Sequence, residues 1–204
     1  MANDVNIDNL YQLRKPGSLP RVFQRGGVEV LAFAMLPQVC AAALLLLVTS
    51  QQPARTPDIH FTPTRHKIAD AMLQLAGVGP ADVVYDLGSG DGRIPIIAAQ
   101  KYGARGVGIE LDPRLVELSW RTANEAEVAS RVRFIVGDLF TADLSEATVV
   151  TTYLSTSIMQ LLVPKLRGLK PGTRIVSHQF PMPGWAPDRQ VTVEESQLML
   201  WIVR

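Results

Sequence analysis

Cysteine is nearly missing from this chain: among 204 residues there is one, Cys40, and it lies inside an apolar N-terminal run. A single thiol cannot close an intrachain disulfide or build a cysteine metal cluster. Histidine is almost as scarce, with His60, His66 and His178 the three in the chain. Too few ligands remain for a zinc site, and no metal is expected. Neither sign of charge dominates, because 20 Lys and Arg stand against 19 Asp and Glu for a formal net charge of +1. A nucleic-acid-binding face needs basic residues in excess and concentrated. The basic residues therefore read as a solvated surface, and no nucleic-acid partner is expected. Internal repeats and low-complexity stretches are absent as well.

Apolar residues, at 47% of the chain, are abundant. A folded part of about 150 residues can bury roughly 70% of the surface of its unfolded chain, enough for one sizeable core. The longest apolar run covers residues 30–49, where 17 of 20 positions are apolar and Pro37, Gln38 and Thr49 are the exceptions. About 20 such residues cross a bilayer as a helix, whereas a signal-peptide core has about 7–15. The preceding 29 residues are long for a signal n-region. An uncleaved membrane anchor is the reading adopted. A cleaved signal built on residues 40–48 and a buried soluble helix are the alternatives. Residues 50–58, SQQPARTPD, are polar with two prolines and read as a linker. The expected organisation is a tail at 1–29, a transmembrane or signal segment at 30–49, this linker, and one folded domain at 59–204.

Strands and helices alternate through that domain. A helix is predicted from Thr64, as its cap, to Ala76, with Ile68, Met72 and Leu75 at helical spacing and Gly77 as the stop. Strands are predicted over 83–87, 106–110, 132–136, 148–153 and 173–178. Helices are predicted over 93–102, 113–128 (capped by Asp112 ahead of Pro113) and 155–167, where Pro164 strains the last turns. Two closing strands, 190–193 and 197–203, pair antiparallel. This order predicts an α/β fold, a doubly wound and mostly parallel seven-stranded sheet with right-handed crossovers. Only about ten residues separate the third and fourth strands, too few for a helical crossover.

The most specific segment is Tyr85-Asp86-Leu87-Gly88-Ser89-Gly90-Asp91-Gly92-Arg93, in which a strand runs into a glycine turn and a helix start. In doubly wound sheets ligands sit beyond the carboxyl ends of the strands. Gly88 and Gly90 let a ligand approach the backbone. Amides at the helix start can hold a carboxylate, and Asp86 and Asp91 can meet an ammonium, so a ligand with an amino-acid end fits. A dinucleotide site would need a third glycine where Arg93 stands, and two carboxylates would repel its pyrophosphate. A purely structural glycine turn is the other alternative. Glu110, 20 residues after Gly90, is placed to accept ribose hydroxyls. Asp138, in Gly137-Asp138-Leu139, can accept from an adenine amino group while Leu139 lies against the ring. Three acids at three successive strand ends are more telling than any one of them.

On these residues, 59–204 resembles the class I S-adenosylmethionine-dependent methyltransferases. It is most similar to the membrane-tethered mitochondrial lysine methyltransferases of the ATP synthase c-subunit and adenine nucleotide carrier, with their bacterial relatives. Phe61-Thr62-Pro63-Thr64, the glycine segment, Tyr153-Leu154 and Phe180-Pro181-Met182-Pro183-Gly184-Trp185 carry the likeness. Arg65 and Ser155-Thr156 depart from it where relatives have proline, near the expected substrate mouth. The resemblance implies a Rossmann-like fold and S-adenosyl-L-methionine as cofactor. It implies that Asp86, Gly88, Gly90, Glu110 and Asp138 bind the cofactor, with the segment Phe61 to Thr64 close by. It also implies transfer to a lysine of a protein substrate at a membrane.

Deprotonating a lysine at neutral pH costs about 4–5 kcal/mol against its pKa of about 10.4. Tyr153 is the candidate catalytic residue. Phe61, Thr62, Pro63, His178 and Trp185 are expected to face the substrate, and no residue declares itself a general base. With no spare segment to cap the site, a macromolecular acceptor is favoured. A small-molecule or lipid acceptor, a non-catalytic nucleoside-binding module and, remotely, a nicotinamide-dependent oxidoreductase are the rival readings. Four basic residues before the apolar run and three after it barely engage the positive-inside rule. A cytosol-facing domain is expected, because the cofactor is made there; export through a cleaved signal is the alternative.

Overall fold

In a computed structural model, residues 62–204 are described. The tail, the apolar segment with Cys40, the linker and Phe61 lie outside the described residues, and with them the expected membrane anchor and the expected substrate contact of Phe61. No helix among the described residues is long and apolar enough to cross a membrane.

The elements, in chain order, are α1 (His66–Ala76), β1 (Val83–Leu87), α2 (Arg93–Tyr102), β2 (Arg105–Glu110) and α3 (Pro113–Glu125). They are followed by β3 (Val132–Val136), β4 (Val149–Thr152), α4 (Thr156–Arg167), β5 (Arg174–His178), β6 (Arg189–Val193) and β7 (Ser196–Ile202). They form one seven-stranded sheet in the order β3-β2-β1-β4-β5-β7-β6. The pairings β2–β3, β1–β2, β1–β4 and β4–β5 are parallel, and β7 pairs antiparallel with both β5 and β6. This is the doubly wound, mostly parallel arrangement predicted.

β1 is buried along its whole length, as a central strand of such a sheet must be. On one face Val84, Val149 and Val176 pack under α1 and α2, whose Ile68, Met72, Leu73 and Ile97 form the opposing layer. α3 extends this layer over β3 through Val116, Ala123 and Phe134. On the other face α4 supplies Met159, Leu162 and Leu166 against Tyr85, Val150, Ile175 and Trp201. The connection 137–148 contains no helix, as its length predicted. Leu144 and Ala147 from that connection cover the sheet in its place.

Several boundaries shift. α1 starts at His66, and its cap position is Arg65, with no side-chain cap bond. The expectation that Thr64 caps this helix fails, because its hydroxyl turns instead toward His178 Nδ1, 3.5 Å away. α3 stops at Glu125, short of 128, since the chain turns there through Glu127 at a φ of 57°. Pro164 is accommodated inside α4.

Candidate functional site

The sheet brings the carboxyl ends of β1, β2 and β3 side by side, and a cavity of about 410 Å3 opens above them. All eight expected cofactor-binding residues line it: Asp86, Gly88, Ser89, Gly90, Asp91, Glu110, Asp138 and Leu139. Thr62, Pro63 and Tyr153 do too. Gly88, Gly90 and Gly92 have φ of 76°, 54° and 76°. Left-handed φ at all three strains any other residue, and at Gly92 a Cβ would also meet Phe134 at 2.6 Å and Ser119 at 2.7 Å.

Asp86 is 4% exposed, and Thr151 Oγ1 donates to its Oδ1 at 2.7 Å. Burial pushes its carboxyl up to about 7; the Thr151 bond pulls it down, and the charges of Glu110 and Asp91 push it further up. Such a group gains most from an arriving cation. Glu110 is oriented by the backbone: Oε2 accepts from Gly90 N at 2.9 Å, and Oε1 from Leu111 N at 2.7 Å and Asp112 N at 3.0 Å. An ionised carboxylate offers about four acceptor positions. Three are taken by the chain, which narrows what Glu110 can offer two ribose hydroxyls.

One expectation at the glycine turn is corrected. Asp91 lines the cavity, but its charge is spent on Arg93, whose Nε donates to Oδ1 at 2.8 Å and whose Nη2 pairs with Oδ2. Asp86, not Asp91, is the acid left to meet an ammonium. Four of the turn amides are taken by the chain. Gly88 N and Ser89 N donate to Ile109 O, Gly90 N to Glu110, and Gly92 N to Ser89 O. The Ser89 hydroxyl is buried without a hydrogen-bond partner among the described residues. It packs where a Cβ on Gly108 would approach it to 2.5 Å.

Beyond Asp86 the cavity reaches Tyr153, just after β4. Its ring stacks on His178 at 4.1 Å and lies 5.9 Å from Phe180. His178 backs Tyr153 and is not itself a cavity wall. Burial, helped by the charge of Arg65, pushes its imidazole down to about 4. Nε2 is buried without a partner among the described residues. Trp185 does not face the cavity: its ring lies 6.4 Å from that of Trp201, with the Arg167 guanidinium 5.1 Å from its centroid. Its carbonyl accepts from Trp201 Nε1 at 2.9 Å. Large apolar area drew it to the sheet flank rather than the mouth.

Sequence reasoning missed Thr151 and the latch made by Arg93, whose Nη1 donates to Thr64 O at 2.7 Å and ties the leading segment to the glycine turn. A hydroxyl in a fully buried strand was the one available hint of the first. The second had none beyond an arginine in the place of a glycine.

The residues fit a sulfonium nucleoside with an amino-acid end. Asp86 is a buried carboxylate awaiting a cation, Glu110 and Asp138 stand on successive strand ends, and the volume lies within the roughly 300–1,000 Å3 of small-molecule sites.

Comparison with known proteins agrees. The family model described as the ANTKMT methyltransferase domain matches residues 86–189. A protein-lysine N-methyltransferase of Saccharolobus islandicus is 40% identical over 144 residues, 70% of this chain and 89% of that protein. The Xenopus laevis lysine N-methyltransferase for the ATP synthase c-subunit is 35% identical over 80% of this chain and 67% of its own. A crystal structure described as an RNA methyltransferase from Salinibacter ruber, in complex with S-adenosyl-L-homocysteine, is 55% identical. It aligns with a TM-score of 0.69, over 70% of this chain and 94% of that one.

Proposed function

The chain belongs to the ANTKMT methyltransferase domain family, and from that premise we propose that it methylates lysine side chains of a protein held at a membrane. It is an S-adenosylmethionine-dependent methyltransferase of the class I fold. The observation that carries the proposal is the meeting of Asp86, Glu110 and Asp138 in one cavity that Tyr153 also lines.

When bound, S-adenosylmethionine supplies a methyl group on a positively charged sulfur. The protein's task is then alignment. Asp86 would hold the ammonium, Glu110 the ribose, and Asp138 with Leu139 the adenine. The acceptor amine must shed its proton before attack, at a cost of about 4–5 kcal/mol in water at pH 7. His178 is neutral and does not line the cavity, so it is not assigned as the base. Tyr153, Leu154 and Ile158 line the cavity and would desolvate the ammonium there, which lowers its pKa. Tyr153 can accept a hydrogen bond from the incoming amine and is the candidate catalytic residue.

The apolar segment at 30–49 supports a membrane location, with the catalytic domain facing the cytosol where the cofactor is made. An RNA acceptor is the second reading, favoured by the description of the Salinibacter ruber relative. The test is to incubate the protein with tritiated S-adenosylmethionine, membranes and total RNA from cells lacking it. Label recovered as methyllysine after protein hydrolysis is the expected result. Label in RNA or in the lipid extract alone overturns the proposal. Carbonate-resistant sedimentation of the full chain with membranes tests the anchor.

A further inference from the structure

The connection 137–148 lacks a helix, yet it carries Asp138, Leu139 and Phe140 into the cofactor cavity. Its order comes from elsewhere. Lys165, in the last turn of α4, donates from Nζ to Leu139 O at 2.8 Å, Phe140 O at 3.0 Å and Ala142 O at 2.5 Å. An ammonium has three N–H donors, and here each ends on a backbone carbonyl of the same short turn. Asp138 closes that turn from the other side. Its Oδ1 accepts from Phe140 N at 2.9 Å, and its carbonyl from Thr141 N at 3.0 Å and Ala142 N at 2.9 Å. Burial pushes the Lys165 ammonium pKa down while the charges of Asp138 and Asp143 hold it up. A lysine drawn out of water in this way is fixed by the carbonyls it meets, and charge-assisted bonds are about twice as strong as neutral ones.

We propose that Lys165 is a positioning residue for the nucleoside end of the cofactor, locking the 139–142 turn so that the Asp138 carboxylate presents one fixed acceptor to the adenine amino group. The inference rests on the assignment of Asp138 to adenine. The chain of cause is short: the carboxylate is held by Phe140 N, and the Phe140 carbonyl is held by Lys165. A fixed acceptor rejects hypoxanthine, which has an oxygen where adenine has its amino group. A carboxylate on a loosened turn can swing aside and tolerate it.

The experiment is titration calorimetry of the full chain with S-adenosylhomocysteine and with S-inosylhomocysteine. The wild type is expected to favour the adenosyl compound by about 10-fold or more. Lys165→Met, which keeps the apolar stem and loses the charge, should weaken adenosyl binding by about 10-fold and inosyl binding hardly at all. A wild type that does not discriminate removes the adenine assignment and the proposal with it. A wild type that discriminates beside a Lys165→Met variant that discriminates equally overturns the role of Lys165 and leaves the site assignment standing. If that variant does not fold, Lys165→Gln takes its place: lost discrimination between the two compounds supports the locked turn, and unchanged discrimination overturns it.

Discussion

Thr151 and Asp86 occupy facing rungs of β4 and β1, and the Thr151 hydroxyl donates to the buried Asp86 carboxylate at 2.7 Å. One neutral donor is little compensation for a carboxylate that is 4% exposed. Burial therefore pushes its pKa up to about 7, and the site carries a partly protonated acid until a cation arrives.

Asp86→Asn should trade binding for stability. A carboxyl whose folded pKa lies above its unfolded value of 3.8 gives stability that is fully present below pH 3.8 and lost as pH rises to about 7. Above pH 7 the variant should melt higher than wild type by about 3 °C or more, a gap that closes toward pH 4. Cofactor affinity should fall by about 10-fold or more. Scanning and titration calorimetry across pH check both.

Cofactor binding should also release a proton. An ammonium at Asp86 favours the ionised form, so at pH 6 close to one proton leaves on binding, and at pH 8.5 almost none. Binding enthalpies measured in buffers of different ionisation heat would show this. The same enthalpy in all buffers at pH 6 would exclude Asp86 as the cation's partner.

His178 works in the opposite sense. Its folded pKa, about 4, lies below the ordinary 6.5. Its contribution is complete above pH 6.5 and is lost as pH falls toward 4. Between pH 5 and 6.5 it opposes Asp86, and the wild-type stability profile should be shallow. Asp86→Asn should leave stability rising with pH in that window, and His178→Leu should leave it falling.

Arg93→Ala strips Asp91 of its partner and frees Thr64 O. A loss of about 1–3 kcal/mol in urea unfolding is expected. Arg93→Lys should recover little, because a point charge cannot replace the planar fork.

Tyr153→Phe should leave cofactor affinity unchanged, since among the described residues no bond of its hydroxyl supports the cavity floor, and lower kcat for the acceptor by about 10–100-fold, the loss of one hydrogen bond to the amine. An unchanged kcat would remove Tyr153 from the chemistry and leave its ring as a wall.

Features made by neighbours in sequence were legible in advance. The glycine turn reads from residues 88–92 because three left-handed positions within five residues favour glycine. The missing crossover helix reads from the length of the β3–β4 connection. Glu110 reads from its distance to the turn, since one helix and one strand consume that span. Trp185 misled because apolar bulk serves a flank as well as a mouth.

The sequence alone determined the order of strands and helices, the glycine turn and the three acids at strand ends, all set by local backbone preference and periodicity. Only the tertiary structure decided who touches whom. Parallel register set Thr151 beside Asp86, and the parallel β4–β5 pairing brought His178 beside Tyr153 and within reach of Thr64. Helix packing aimed Lys165 at carbonyls more than 20 residues away. These contacts depend on how the strands stack and how far a side chain reaches, and no local pattern encodes either.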